Sequence, residues 1–303
     1  MNLIKSSFCL SFSVFVLTLG FGQDLDQLMT ESEEKKTDYA FATFKGTRTL
    51  NSQSIEGLGK GVLQVMFQHR FSPIDQGFYD FFGLDGAGIH FGFDYGITNR
   101  LTVGIGRSGG GGEPFGQKAY DGYLKYKLLR QSTGLINMPI SLSLFASTAI
   151  KSSNNYDETD AFRYRLFYTS QLIIARKFSP AFSVQLMPTF IHRNLTLSAA
   201  DKNSVFSLGA AIRYKLTKRF GVVGEYYYTF PNQLDAQFQT SVAAIGWEIE
   251  TGGHVYHLLF TNATGMIEHQ FIGYNTSPFE AGFRSIRFGF NLSRVFTLVR
   301  YDN

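Results

Sequence analysis

From Gly59 onward apolar and polar residues take turns along the chain, the period of a strand whose two faces meet different surroundings. Leu101, Val103 and Ile105 alternate with Thr102, Gly104 and Gly106, and Ile89, Phe91, Phe93, Tyr95 and Ile97 with His90, Gly92, Asp94 and Gly96. Phe206, Leu208, Ala210, Ile212 and Tyr214 alternate with Ser207, Gly209, Ala211 and Arg213. Near the C-terminus Ile286, Phe288, Phe290 and Leu292 alternate with Arg287, Gly289, Asn291 and Ser293. About twelve strands are predicted, near 60–71, 86–97, 101–108, 116–129, 138–150, 161–178, 182–194, 204–216, 220–230, 240–250, 253–262 and 284–298.

The connections separate a membrane barrel from a soluble sandwich. Short ones fall at 98–100, 179–181, 217–219 and 251–252, with 130–137 somewhat longer, and they alternate with long ones at 72–85, 109–115, 151–160 and 263–283. Tight turns on one rim and extended loops on the other predict an all-β transmembrane antiparallel up-and-down barrel in the outer membrane of a Gram-negative bacterium, with both termini periplasmic. Residues flanking a turn must point to one side of the sheet. Phe178 and Phe182, Leu216 and Phe220, and Ile97 and Leu101 all satisfy this on the apolar face, as one interfacial girdle; Phe162, Tyr164, Tyr228 and Phe230 are expected nearer the other rim. Two residues fit poorly. Pro188 removes a ladder donor, which predicts a bulge or edge-like irregularity. Arg294 has lipid-facing parity and is expected near the periplasmic rim, where a charge costs little.

Composition agrees: 31 Phe, 16 Tyr and 31 Gly beside 7 Pro suit short strands and turns. After the leader no apolar run reaches the ~18 residues of a spanning helix, which excludes a helical membrane protein but not a barrel. Residues 1–22 read as a signal peptide: Lys5 is the positive region, Phe8 to Phe21 the apolar one, and Gly20 and Gly22 the small residues before a start at Gln23 or Asp24. The only cysteine, Cys9, lies in that leader, so the mature chain has no thiol for a disulfide, a metal or a nucleophile. Without Lys5 the net charge is +3, and no basic block argues for nucleic acid. Residues 23–58 form a separate segment, polar and helix-compatible at first, then a short strand or tucked arm over 39–50; it is expected either in the periplasm or as a plug, and 59–303 as the barrel.

Several patterns invite chemistry. Gly104, Gly106 and Gly109 make a GxGxxG string, but Gly110 to Pro114 forbids the helix a nucleotide site needs; a glycine-rich extracellular loop is the plainer reading. His254 and His257 are three apart on a strand and point to opposite faces, so no shared metal is expected; His257 should face the lumen near Glu248. The inward parity collects His90, Asp94, Asp121, Lys125, Lys127, Arg163, Arg165, Arg213, Lys215, Glu225, Glu248, Glu250, His257 and Arg287. They are a solute-selecting lining or a network of cross-strand ion pairs, for example Arg213 diagonal to Glu225. Twelve strands lie between the eight that side chains fill and the sixteen that leave an open channel, so both readings stand. A hydrolase reading rests on His192, Asn194 and Ser170 on the outer wall, without a local motif for an activated serine.

The strings Phe44-Lys45-Gly46-Thr47-Arg48, His69-Arg70-Phe71, Phe82-Gly83-Leu84-Asp85, Asp94-Tyr95-Gly96-Ile97-Thr98 and Gly289 to Phe296 resemble a Bacteroidota family of outer-membrane β-barrels, domain of unknown function 5777. The resemblance spans nearly all of the mature chain. It implies the barrel and its location, and supplies no catalytic residue, cofactor or ligand. The function expected from the residues is a channel or transport barrel for small polar solutes. The alternatives are a non-conducting scaffold or docking barrel for an envelope partner and, third, a membrane-embedded hydrolase. Outer-membrane lipid and, during biogenesis, the barrel-assembly machinery are the expected partners; no cofactor or metal is expected.

Overall fold

A computed structural model of the chain describes residues 36–110, 118–152, 161–196 and 198–300. The predicted leader and the start at Gln23 or Asp24 lie outside the described residues. Contacts divide the chain into two units. In the smaller one, which joins Ser132–Asn137 to the residues up to Asp38, the Ser132 hydroxyl donates to the Ile136 carbonyl (2.8 Å). The larger one holds the barrel.

Twelve antiparallel strands close the barrel: β1 Val62–Pro73, β2 Ala87–Gly96, β3 Leu101–Gly110, β4 Ala119–Leu129, β5 Ser141–Lys151, β6 Leu166–Lys177, β7 Phe182–Arg193, β8 Ser204–Lys215, β9 Phe220–Thr229, β10 Val242–Thr251, β11 His254–Thr261 and β12 Arg287–Thr297. Each pairs with its sequence neighbours, and β12 pairs with β1, so no edge is left open. Every predicted strand is present. β6 starts later than the pattern implied, because Phe162–Arg165 close a 3-10 turn in which the Tyr164 amide donates to the Ala161 carbonyl (2.8 Å).

Three of the tight turns share one device. The hydroxyls of Thr98, Ser179 and Thr217 accept from the two amides at the end of their turns, Arg100 and Leu101, Ala181 and Phe182, and Arg219 and Phe220. This side-chain mimic of a backbone turn fixes three hairpins with no glycine. Between β10 and β11 the turn is Gly252-Gly253, one residue later than predicted, with φ of 50° and 94°. Two positive φ angles give the turn whose twist matches the strands it joins.

The faces are inside out relative to a soluble protein. Ile105 is 67 % exposed and Ile245 60 %, while Arg193, Arg213 and Lys125 are among the largest fully buried side chains. Lysine and arginine are the residues least often buried, so their place inside and the isoleucines' place outside require an apolar solvent around the barrel. Arg294 lies outward and pairs with His254, beside the Gly252-Gly253 turn, with its guanidinium over Phe296 (4.8 Å). Pro188 makes no bulge. The β6–β7 register is the same on both sides of it, and the ladder merely skips the pairs of Leu172 and Ile173. The register shifts lie elsewhere, in β4 between Lys127 and Leu129 and in β1 between Arg70 and Pro73, opposite Arg287 and Gly289 of β12.

The glycine string of β3 belongs to the wall. A Cβ on Gly104 would overlap the Tyr123 ring and the Asp94 carboxylate, and one on Gly106 the His90 ring, whereas Gly109 has nothing within 4 Å. The glycines thus make room for large inward side chains from β2 and β4. Gly104→Ala is expected to lower barrel stability by about 1 to 3 kcal/mol through overpacking. Gly109→Ala should leave the thermal unfolding midpoint in detergent unchanged, and equal midpoints for the two would refute the assignment.

Candidate functional site

The candidate site is the lumen, which two segments occupy. The first is residues 43–58, ahead of β1. Arg48 and Gln53 form an antiparallel bridge, the Thr49 amide donates to the Ser52 carbonyl (2.9 Å), and the Ser54 amide donates to that of Thr47 (2.9 Å). The result is a small hairpin, here called the strap, with its tip at 49–52. Residues 49 and 51–54 are fully buried although all are polar.

Inward-facing wall residues hold the strap, and they hold mainly its backbone. Lys125 Nζ donates to the carbonyls of Thr47 (3.0 Å) and Ser54 (3.2 Å) and to Gln53 Oε1 (3.0 Å). Lys127 Nζ donates to the Gly57 carbonyl (3.1 Å), and Arg70 Nη2 and Asn291 Nδ2 to that of Leu50 (3.1 and 2.7 Å). Gln185 makes both kinds of contact, accepting from the Ile55 amide (2.7 Å) and donating to the Gln53 carbonyl (2.9 Å). Glu225 accepts from the amides of Leu50, Asn51 and Ser52 and from the hydroxyls of Thr49 and Ser52. Successive amides converging on one oxygen pair form an anion nest, and here the anion is part of the wall. Where the strap enters, the Lys45 amide donates to Glu248 (3.1 Å) and its ammonium pairs with Glu250.

The second segment is the connection between β11 and β12, which carries helix α1, Glu268–Gly273, buried at every residue. Its seat is largely aromatic and apolar. Phe271 packs edge-on to Tyr227 (5.4 Å), and His269 stacks on Phe167 (4.5 Å). Arg193 Nη1 donates to the Gly273 carbonyl at the helix end (3.1 Å). Burial pushes the His269 imidazole down to about 4 against the opposing pull of Asp121, so the ring stacks in its neutral form. Burial likewise raises the Glu268 carboxyl, and Arg48 counters it. The two segments meet there: Arg48 Nη1 lies 3.3 Å from Glu268 Oε1, with side chains 5 % and 2 % exposed.

The structure brings most of the candidate lining residues to this space and disposes of them differently. His90 pairs with Asp121 (2.9 Å), and Asp94 accepts from Gln64 (3.0 Å), which also donates to Thr47 of the strap. Arg213 pairs with Glu248 (2.7 Å), and His257 lies 3.7 Å from that carboxylate. The expected Arg213–Glu225 pair is absent, because the strap takes Glu225. Lys215 closes β8 at inward parity, opposite Gly221 on β9. Arg287 donates to the Phe71 carbonyl and the Ser277 hydroxyl near the long-loop rim. Arg163 and Arg165 are not in the strand wall. They sit in the turn before β6, Arg163 exposed and bonded to Tyr164, Arg165 donating to the Lys151 carbonyl.

Arg70, Arg193, Gln185 and Asn291 were missing from the predicted set. Their signal was present, since each shares parity with an inward polar residue on its own strand: Arg70 with Gln68, Gln185 and Arg193 with Ser183, and Asn291 with Arg287. The outer-wall residues do not assemble a triad. Ser170 pairs across with Phe190, whereas His192 pairs with Tyr168 and bonds the Ser204 hydroxyl (3.0 Å). The Asn194 amide is engaged by the Arg163 carbonyl (2.6 Å). Among the described residues no group of three or more His, Cys, Asp or Glu side chains could hold a metal ion.

A closed barrel with a lipid-compatible exterior and a charged interior is an outer-membrane β-barrel. The model of the family described as membrane bound beta barrel domain (DUF5777) matches residues 44–296, and the chain belongs to that family. No curated protein matches the sequence. Similar solved structures include the KdgM porin, 11 % identical over 77 % of this chain and 99 % of that one, with a TM-score of 0.49. The NanC porin is 8 % identical over 77 % and 98 %, at 0.48. An outer membrane channel from Pseudomonas putida F1 is 14 % identical over 80 % and 98 %, at 0.44.

Proposed function

We propose that this barrel is a gated pore for small polar solutes, closed at rest by the strap, which enters from the rim of short turns. The observation that carries the reading is the chemistry of the strap's seat. Phe44, Leu50, Ile55 and Leu58 are apolar and buried, but the wall grips the strap mostly through charged and amide side chains on its backbone. Such contacts have equivalents in water, so withdrawal exchanges partners instead of exposing a core. A filled barrel meant to stay filled is more simply built from apolar side chains, because buried ion pairs are weak stabilisers.

On this reading residues 1–22 export the chain, 23–58 lead into and form the gate, and 59–303 form the pore. Outer-membrane lipid surrounds it, and the barrel-assembly machinery inserts it. The alternative, a non-conducting scaffold, draws on the apolar seat of α1, which resists removal. Planar-bilayer conductance decides between them. The full-length protein should be closed or open only rarely, and a form lacking residues 24–58 should conduct. Silence from a folded barrel without those residues would leave the scaffold.

A further inference from the structure

The wall groups around the strap sort by what they touch. Lys125, Lys127, Lys177 and Arg70 each donate to strap or entry-segment backbone carbonyls, at 3.0, 3.1, 2.7 and 3.1 Å. Among the described residues none of the four has a carboxylate within 4 Å. Glu225 and Glu248 accept backbone amides, and Gln185 reads one of each. The lumen thus offers cations to carbonyls and carboxylates to N–H groups along one winding path. Few of these contacts depend on which side chains the strap carries.

We propose that the strap is a stand-in for the solute, and that the opened lumen binds short peptides through their main chain. This rests on the gated-pore reading above. An amide solute offers a strong carbonyl acceptor to the cations and N–H donors to the carboxylates together; sugar hydroxyls fill both roles less strongly, and a simple organic acid lacks the donors. A sugar hydroxyl is a weaker partner for an ammonium than an amide carbonyl, and an organic acid meets Glu225 as a like charge. A peptide in this path competes with the strap for the same groups, which makes the strap an autoinhibitory segment as well as a gate.

The test uses the full chain with the wall intact. Thr49→Asp sets a carboxylate against Glu225, and Leu50→Glu separately puts one into a fully buried apolar position; each unseats the strap without altering any wall group. Gel mobility without heating confirms that each variant is folded. Blocked trialanine, added to either conducting variant, should reduce single-channel current at a concentration about tenfold below that needed for a disaccharide or galacturonate, the worth of one charge-assisted hydrogen bond. Lys125→Gln in the same background should abolish that difference while the pore still conducts. Equal block by peptide, sugar and sugar acid, or a preference that survives Lys125→Gln, overturns peptide recognition and leaves the gate standing. Folded variants that never conduct remove the gated pore itself, and the inference with it.

Discussion

In a Glu225→Ala variant the strap leaves the lumen: trypsin cuts the folded barrel after Lys45 and Arg48, and current flows where the wild type is shut. Five donors of the strap tip converge on this one carboxylate, three of them consecutive amides. Each donor left in a buried site without an acceptor costs about 1 to 3 kcal/mol, and no neighbouring wall residue offers a second carboxylate to the tip. Water entering around the shortened side chain recovers part of this, so the seated state should lose on the order of 3 kcal/mol, roughly a hundredfold in the seated fraction. The closing ladder between β12 and β1 is untouched, and the barrel itself should keep its unheated gel mobility. Protection of Lys45 and Arg48 equal to wild type would show that the tip is held by something other than Glu225.

Arg48→Met carries the second large effect, and it acts on the opposite side of the membrane from where the strap enters. Arg48 is the strap's link to α1, with its guanidinium 3.3 Å from the Glu268 carboxylate in a site closed to water. Taking one partner from a buried ion pair costs about 3 to 5 kcal/mol, because the remaining charge has neither solvent nor counter-ion. Glu268 has little else to turn to: its carboxyl is already raised by burial, with Arg48 the chief opposing influence. The helix should therefore loosen on the extracellular side in response to a substitution in the N-terminal strap. Amide exchange in residues 263–277 is the measurement, with acceleration of roughly two to three orders of magnitude expected for a loss of this size. Adding Glu268→Gln should restore much of the protection, since an amide tolerates burial without a counter-ion. Unchanged exchange in Arg48→Met would mean that the two occupants of the lumen are energetically separate.

Neither effect could be read from strand periodicity, which names faces but not partners. Inward parity put Glu225, Lys125 and Glu248 on one face of the sheet, and all three are buried. It suggested Arg213 for Glu225, because cross-strand neighbours are the only partners a ladder by itself supplies. The actual partner comes from residues 49–52, more than 170 positions earlier. Arg163 and Arg165 went astray for the opposite reason. Their alternation continues that of β6, but the turn closed by Tyr164 ends the strand before it reaches them. The glycine string of β3 was recognisable as something other than a nucleotide loop. Its reason, space for Tyr123, Asp94 and His90, depends on which strands flank it.

The sequence by itself determined the twelve strands, which rim carries the tight turns, and which faces meet lipid and which enclose the lumen. Those properties follow from local periodicity and turn residues, because a strand's two faces and its end points are set by neighbours a few positions away. Only the tertiary structure decided that the lumen is occupied, by which residues, and that Arg48 and Glu268 join the two occupants. A hairpin without an amphipathic period, held through its backbone, leaves no pattern in its own side chains. Closure of the barrel brings the groups that grip it, from β1, β4, β7, β9 and β12, around one space.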